Sequence, residues 1–247
     1  MRPSSATSVR TALAALCVCT CFWSSAGQAQ ASDRVGGSLA FSSDYVFRGL
    51  SHSEGRPALQ ADLHYEFAPG WVAGAWGSRA DVDPDESPAA EIDVYLSRHW
   101  MIDDQWALRT TLTHYTYPDD PRAYSYSHDE VLVALGYQSR FFASASWSPN
   151  LTMYANEALA IEQSALAYEV VAVQPVVGSL AASAGVGYYD LPSALNADYW
   201  YWNVVLACSL GRTQIAVAYI AADRDAQRTF GYDRAAYQWT GSLAWRF

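Results

Sequence analysis

The chain has 247 residues, of which 51% are hydrophobic, 14% aromatic and 16% charged, and its formal net charge is −10. The charged fraction lies below the roughly 25% of soluble domains, and an acidic chain without basic clusters is a poor nucleic-acid ligand, because phosphate neutralisation supplies most of that affinity. Its mean hydropathy of −0.06 and its single apolar run, residues 11–23, exclude a polytopic helical membrane protein, whose spans need about 20 apolar residues each.

The N-terminus is organised like an export signal. Arg2 and Arg10 precede the apolar run, and Ala29-Gln30-Ala31 supplies small residues at positions −3 and −1 of a cleavage site. We therefore expect residues 1–31 to be a signal peptide and residues 32–247 to form one exported domain. Without Arg2 and Arg10, 13 arginines face 25 acidic residues, which gives a net charge of −12.

Cysteine usage argues against metal or disulfide chemistry in the exported domain. Three of the four cysteines lie in the apolar run, so that only Cys208 remains beyond it. One cysteine can form neither an internal disulfide nor a metal cage. The acidic run at 81–86 lacks the glycine of a calcium loop, which favours a solvated loop. The sequence implies no cofactor, no metal and no nucleic-acid partner.

Alternation of apolar and polar residues runs through the exported domain and predicts β-strands. In residues 237–247 the odd positions are almost all large and apolar, whereas the even positions are small or polar. The pattern predicts twelve strands, with ten or fourteen as alternatives, at 38–48, 57–68, 71–78, 91–100, 106–117, 127–137, 141–147, 164–174, 179–189, 199–210, 213–221 and 235–247.

The connections between these strands alternate between short and long. Short ones fall at 69–70, 101–105, 138–140, 175–178 and 211–212, and long ones at 49–56, 79–90, 118–126, 148–163, 190–198 and 222–234. Periodicity alone fits either a soluble sandwich or a membrane barrel. The alternating lengths favour an all-β fold, a transmembrane up-and-down antiparallel β-barrel of about 12 strands with short periplasmic turns and long extracellular loops.

Aromatic residues fall into two groups, as expected for belts at the two membrane interfaces. The group near the short turns is Phe67, Trp71, Trp100, Trp106, Phe141, Trp245 and Phe247. The group toward the long loops is Tyr45, Phe47, Tyr115, Tyr117, Trp147, Tyr188, Trp200, Trp202, Tyr237 and Trp239. The ending Leu243, Trp245 and Phe247 also predicts an outer-membrane assembly signal, with the barrel-assembly machinery as its partner.

Residues 41–57, FSSDYVFRGLSHSEGRP, closely resemble the opening of the TorF-type family of proteobacterial outer-membrane porins. WGSRADV at 76–82, EIDVY at 91–95 and YTYP at 115–118 resemble later motifs of that family, whereas residues 150–178 depart from its pattern. The resemblance implies an outer-membrane barrel and a porin, without a known substrate.

The polar face of the strands predicts the residues that line the lumen. These pore-lining candidates are Asp44, Arg48, Gln60, Asp62, His64, Glu66, Glu91, Asp93, Tyr95, Arg109 and Glu130, with Glu169 as a further member. Small inward residues such as Gly185 and Gly187 are expected to leave room on one wall. Because twelve strands enclose a narrow lumen and carboxylate rings favour cations, we expect a channel for ions or small solutes with a mild cation preference.

These expectations place the protein in the outer membrane, with outer-membrane lipid, lipopolysaccharide and small solutes as its partners. Three alternatives remain open. The inward charges could pair across the barrel and plug it. The protein could be a barrel enzyme, a protease or a lipid A or phospholipid hydrolase, in which His128 beside Asp129 would be the candidate. It could also be a structural or recognition barrel.

Overall fold

The computed structural model describes residues 34–80, 89–118, 127–156, 159–191, 197–235 and 237–247, with backbone only at 80, 89, 153–156 and 159–161. The predicted signal peptide and the acidic run at 81–86 lie outside the described residues. The strands are β1 (Val35–Ser42), β2 (Val46–Phe47), β3 (Leu50–Ser51), β4 (Ala58–Ala68), β5 (Trp71–Ala80), β6 (Ala89–Met101), β7 (Trp106–Thr116), β8 (His128–Tyr137), β9 (Phe141–Asn156), β10 (Leu159–Val177), β11 (Leu180–Asp190), β12 (Tyr199–Leu210), β13 (Thr213–Ala222) and β14 (Gln238–Arg246).

Twelve of these strands close into one antiparallel barrel, in the order β1-β14-β13-β12-β11-β10-β9-β8-β7-β6-β5-β4. Each strand pairs with its neighbours along the chain, and the barrel closes where β1 pairs with β14 from Ser38↔Arg246 to Ser42↔Ser242. Closure leaves no edge strand in the wall of the barrel. The predicted fold class and the predicted number of strands are confirmed.

The barrel has its apolar side chains on the outside and its charged side chains on the inside. Leu59 on β4 is 67% exposed, whereas Glu91 on β6 is 2% exposed. Along β12 the even positions 200–206 are exposed and the odd positions 199–207 are buried. This pattern is the reverse of a soluble fold, in which the apolar face would be covered. It is the arrangement that strands in contact with lipid require.

The predicted short connections are present, with two residues at 69–70, 178–179 and 211–212, three at 138–140 and four at 102–105. Gln138 and Ser139 both have positive φ, at 50° and 54°, and Arg140 N donates to Tyr137 O at 3.0 Å. Positive φ at both central residues matches the right-handed twist of the flanking strands. The chain therefore reverses at this end of the barrel with minimal length, and both described termini lie at the same end.

The predicted first strand, 38–48, is wrong in its second half. β1 ends at Ser42, and β2 and β3 form a separate two-stranded sheet with the pairs Val46↔Ser51 and Phe47↔Leu50. Between them Arg48 and Gly49 have φ of 48° and 81°. The residue pair Arg48-Gly49 is thus a tight turn that folds the chain back, although the alternation of apolar and polar residues continues through it.

The predicted long loop at 148–163 is also wrong, because β9 and β10 extend through most of it. Beyond Trp147 and Leu166 these two strands have lost their other neighbours and pair only with each other, up to Leu159↔Asn156. Pro149 is tolerated there because a proline on a strand edge removes no ladder hydrogen bond. The two strands therefore project as a hairpin beyond the rest of the barrel.

The last long connection contains two short helices, α1 (Arg224–Phe230) and α2 (Tyr232–Ala235). Asp223 caps α1, since its side chain accepts from Asp225 N at 2.9 Å and from Ala226 N at 3.1 Å. Helix α2 ends at Ala235, the first residue of the predicted strand 235–247, and the observed strand starts at Gln238. Among the described residues no helix is both long enough and apolar enough to cross a membrane.

The predicted aromatic belt near the short turns lies on the outside of the barrel, where all seven residues are exposed. The second group is partly wrong. Trp147, Trp200, Trp202, Tyr237 and Trp239 are exposed and Tyr188 is half-buried, but Tyr45, Tyr115 and Tyr117 are buried, and Phe47 packs with them in the interior. These four rings belong to the lumen rather than to a belt.

Candidate functional site in the barrel interior

The connection between β1 and β4, residues 43–57, folds into the barrel, and we call it the inward loop. Tyr45, Val46, Arg48, Ser51 and Ser53 of this loop are all buried. The loop carries the β2–β3 hairpin across the lumen, because its contacts lie on strands far from β1 and β4. It therefore narrows a barrel that twelve strands already make narrow.

Arg48 anchors the tip of the inward loop to the opposite wall. Its Nη2 lies 2.6 Å from Glu130 Oε2 on β8 and donates to Ser146 Oγ on β9, also at 2.6 Å. Its guanidinium carbon lies 4.6 Å from the ring centroid of Tyr189 on β11 and 4.7 Å from that of Phe47. A charge-assisted hydrogen bond in such surroundings is strong, because little water competes for the donor.

The base of the inward loop is held by hydroxyl groups around Asp44. Asp44 Oδ1 accepts from Ser51 Oγ at 2.7 Å and from Ser53 Oγ at 2.8 Å. Tyr45 N donates to Ser53 Oγ at 2.8 Å, and the Tyr45 hydroxyl donates to Glu91 Oε1 on β6 at 3.1 Å. These bonds satisfy polar groups that would otherwise be buried without partners.

The two helices of the last connection pack over the same loop. Arg234 Nη2 lies 2.8 Å from Glu54 Oε1, and Phe230 meets Tyr199 edge to face at 5.7 Å between ring centroids. Ala226 and Ala235 are fully buried. The helices thus cover part of the barrel end that carries the long connections, and they contact the inward loop from that end.

A cavity of about 90 Å³ lies in the interior against the inward loop. Tyr45, Phe47 and Arg48 line it from the loop, while Arg109, Ala134 and Phe142 line it toward the short-turn end of the barrel. Three carboxylates (Asp93, Glu130 and Glu169) and two guanidinium groups (Arg48 and Arg109) contribute the charges of its lining.

The structure places all eleven predicted pore-lining residues inside the barrel. Asp44, Arg48, Gln60, Glu91, Asp93, Tyr95, Arg109 and Glu130 are buried, and Asp62, His64 and Glu66 are half-buried. Asp44 and Arg48 lie on the inward loop instead of on the wall. Glu169 is half-buried and accepts from the Tyr201 hydroxyl at 3.1 Å. The predicted assembly signal Leu243, Trp245 and Phe247 is exposed on and just after β14.

A second polar cluster lies on the wall at Asp62. His64 Nδ1 lies 2.6 Å from Asp62 Oδ1, and the Tyr95 hydroxyl donates to Asp62 Oδ2 at 2.8 Å. A side chain on Gly36 would place its Cβ 2.5 Å from His64 Nε2. The far nitrogen of the imidazole therefore faces the β1 backbone, which leaves no room there for a substrate.

The small residues on β11 do not leave an open wall, contrary to expectation. A Cβ on Gly187 would lie 2.2 Å from Tyr201 Cζ, and a Cβ on Gly185 would lie 3.0 Å from Asn203 Nδ2. The glycines accommodate the large inward side chains of β12, with which they pair directly in register. The space they provide is filled by Tyr201 and Asn203.

The sequence neighbours His128 and Asp129 point to opposite sides of the wall. His128 is buried and stacks on Tyr115 with 4.5 Å between ring centroids. Asp129 is exposed and lies 2.8 Å from His114 Nδ1, while its other oxygen accepts from Asn150 at 3.1 Å. The adjacent pair is therefore not one acid–base unit. Within the described ranges, no group of three or more His, Cys, Asp or Glu could hold a metal ion.

Apart from Tyr95, which was predicted, the inward aromatic residues were missed by the sequence reasoning, although a signal existed for some of them. Arg109 and Tyr115 are an even number of residues apart on one strand, so that an inward Arg109 requires an inward Tyr115. Trp76 shares the inner face of β5 with Ser78, but neither residue was predicted to face inward. Tyr45 and Phe47 could have been assigned only by recognising the turn at Arg48-Gly49.

The closed strand order, the apolar exterior and the charged interior together define a β-barrel of porin architecture. Three solved structures share it. The NanC porin has 10% identity over 85% of this chain and 97% of that chain, with a TM-score of 0.55. The KdgM porin has 8% identity over 86% and 99%, with a TM-score of 0.53, and its complex with disordered oligogalacturonate has 7% identity over 86% and 98%, with a TM-score of 0.52. At this identity the likeness shows the fold.

The chain belongs to the Gcw_chp family of bacterial proteins of unknown function, which it matches over residues 26–247. No protein of curated function is similar to it in sequence.

Proposed function

We propose that this protein is an outer-membrane channel through which ions or small solutes diffuse passively. The observation that carries the proposal is the reversal of polarity in a closed barrel, since apolar side chains cover the outside and charged ones the inside. Only a lipid surround stabilises such an exterior. The porins of similar fold support a transport role rather than a catalytic one.

The inward loop is the proposed constriction. The Arg48–Glu130 bond joins it to the far wall, so solutes pass beside the loop and not through an open cylinder. The sequence left an open pore and a lumen plugged by paired charges as alternatives. In the proposed arrangement, paired charges fill part of the lumen and leave a narrow passage beside the loop. Ions and solutes of a few heavy atoms match a cavity of about 90 Å³.

A mild cation preference is the finer part of the proposal. Acids outnumber bases in the lining of the cavity by three to two, and Asp62, Glu66 and Glu91 add further carboxylates on the inner face. Carboxylates along a pore lower the energy of cations and raise that of anions. We propose that the eleven inward residues predicted from the sequence line this pore.

The proposed location also defines the partners. Residues 1–31 are proposed to direct export, and Leu243, Trp245 and Phe247 to be recognised by the barrel-assembly machinery. The exposed aromatics at both ends would contact phospholipid on one side and lipopolysaccharide on the other. The resemblance of residues 41–130 to the TorF-type porins agrees with this proposal and remains a prediction.

Planar-bilayer recording on the refolded protein tests the proposal. We expect discrete conductance steps and, under a KCl gradient, a reversal potential of the sign that cation preference requires. A conducting but anion-preferring channel would overturn the selectivity. Inserted protein without any conductance would overturn the channel itself.

A further inference from the structure

Asp93 lies between two inward aromatic residues on the barrel wall. It pairs in register with Trp76 on β5 and with Tyr115 on β7. Side chains directly opposite one another on one face of a sheet lie about 5 Å apart at Cβ. Trp76 and Tyr115 are both buried, so the carboxylate has an aromatic ring on each side.

The inward loop adds two more rings to this group. Tyr45 lies against Trp76 with 5.4 Å between ring centroids, and Phe47 lies against Tyr115 at 6.3 Å. All five side chains line the same cavity. We call the four rings of Tyr45, Phe47, Trp76 and Tyr115, together with Asp93, the aromatic cage.

The carboxyl group in the cage is buried, and one of its two oxygens is not satisfied by the protein. Asp93 is 2% exposed, and its Oδ1 has no hydrogen-bond partner among the described residues. Of the neighbouring acids, Glu130 bonds to Arg48, while Glu91 accepts from Tyr45 at Oε1 and has no hydrogen-bond partner at Oε2 among the described residues. An isolated carboxylate is strongly destabilised by burial unless a counter-charge joins it. The Arg48 guanidinium lies near the ring of Phe47 but bonds to Glu130, so a cation that neutralises Asp93 has to come from a solute.

We propose that the aromatic cage binds the ammonium group of a small organic cation. Aromatic faces attract cations through the ring quadrupole, and cages of such rings select alkylated ammonium groups, whose weak hydration is easily lost. A strongly hydrated inorganic cation gains less from four rings and a single carboxylate. The proposal rests on the proposed channel function, because the solute reaches the cage through the lumen.

Binding of tetramethylammonium chloride to the full chain in detergent micelles, measured by isothermal titration calorimetry, tests the proposal without requiring conductance. We expect saturable binding that is at least about tenfold weaker in Asp93→Asn, because the substitution keeps the shape and removes the charge. Trp76→Leu should weaken binding by about threefold to tenfold through the loss of one ring.

Two matched substitutions outside the cage serve as controls. Glu162→Gln changes an exposed acid on β10, and Trp200→Leu changes an exposed tryptophan on β12. Both should bind tetramethylammonium like the unchanged protein. Circular dichroism should show that all four variants retain the barrel.

The outcomes separate the site from the channel. No binding, or binding that Asp93→Asn leaves unchanged, would overturn the cage even if the protein conducts. Equal competition by KCl would overturn its selectivity for organic ammonium. Binding that depends on Asp93 in a protein without conductance would support the cage and contradict the channel.

Discussion

At the scale of single residues, the buried ion pair between Arg48 and Glu130 holds the inward loop in place. The guanidinium and the carboxylate are 2.6 Å apart and almost completely buried. Removing one partner of such a pair leaves an uncompensated charge, which is far more unfavourable than removing both. The pair therefore specifies the position of the loop even where its net stabilisation is modest.

We predict that Arg48→Ala lowers the free energy of unfolding by about 3–5 kcal/mol, measured by urea titration in lipid vesicles. Adding Glu130→Gln should recover much of the loss, because the stranded carboxylate is removed. The control Arg228→Ala breaks the exposed pair with Asp225 on α1 and should change stability by about 0–1 kcal/mol. Equal effects of Arg48→Ala and Arg228→Ala would contradict the anchoring role.

Glycine on β11 gives a second test at this scale. We predict that Gly187→Ala destabilises the barrel by about 1–3 kcal/mol, because its Cβ would lie 2.4 Å from the Tyr201 hydroxyl oxygen. Gly241→Ala is the control, since nothing lies within 4 Å of its Cβ. Urea titration of both variants checks the prediction, and a Gly187→Ala variant as stable as Gly241→Ala would refute the close packing.

At the scale of elements, the inward loop and the β9–β10 hairpin depart from the regular meander. The first crosses the lumen, while the second extends away from it. Each follows the same local chemistry as a wall strand, namely alternation and a tight turn, but lacks barrel neighbours on both sides. They differ in position, because the inward loop fills part of the lumen and the hairpin lies outside it. We therefore expect only the inward loop to limit conduction.

We predict that replacing Val46–Ser51 by Asn-Gly raises the single-channel conductance by at least about twofold, because cross-section is set by what fills the barrel. The replacement is geometrically compatible, since His52 N already donates to Tyr45 O at 2.6 Å and Asn-Gly favours a two-residue turn. The control replaces 153–161 by Asn-Gly, which shortens the projecting hairpin between the paired residues Thr152 and Glu162.

The control variant should conduct like the unchanged protein. If both variants or neither changed the conductance, the inward loop would not be the constriction.

These two elements also mark the limit of prediction from sequence. Period two fixes which side chains share a face, and this was enough for strand number, connection order and the inward position of Glu91, Asp93 and Arg109. The two-residue periodicity does not predict whether a strand pairs with the barrel wall or folds away from it. The positive φ of Arg48 and Gly49 decides that for the inward loop, and arginine before glycine is a weak turn signal.

The partners inside the lumen were beyond sequence reasoning for a different reason. Arg48 and Glu130 are 82 residues apart in the chain, and their contact depends on barrel diameter and strand stagger. Register along neighbouring strands predicts local pairs such as Asp93 and Tyr115 once strand ends are known. Contacts across the lumen require the closed three-dimensional structure.

At the scale of the whole molecule, the barrel is stable only if its exterior is covered by lipid. The exposed side chains of β12 between the two ends are Trp202, Val204 and Leu206, a surface that a soluble monomer would not present to water. The charged interior, the inward loop and the aromatic cage all depend on this division between an apolar outside and a polar inside.

The most direct test of that division is the stability of Val204→Arg in lipid vesicles, measured by reversible urea unfolding. Val204 is 55% exposed near the middle of β12, and arginine facing the centre of a bilayer destabilises a barrel by about 2–4 kcal/mol. Val177→Arg, at a 72% exposed position beside a short turn, should lose about 0–1 kcal/mol. We expect this difference between the two variants. Equal stability, with Val204→Arg soluble without detergent, would contradict a lipid-covered exterior.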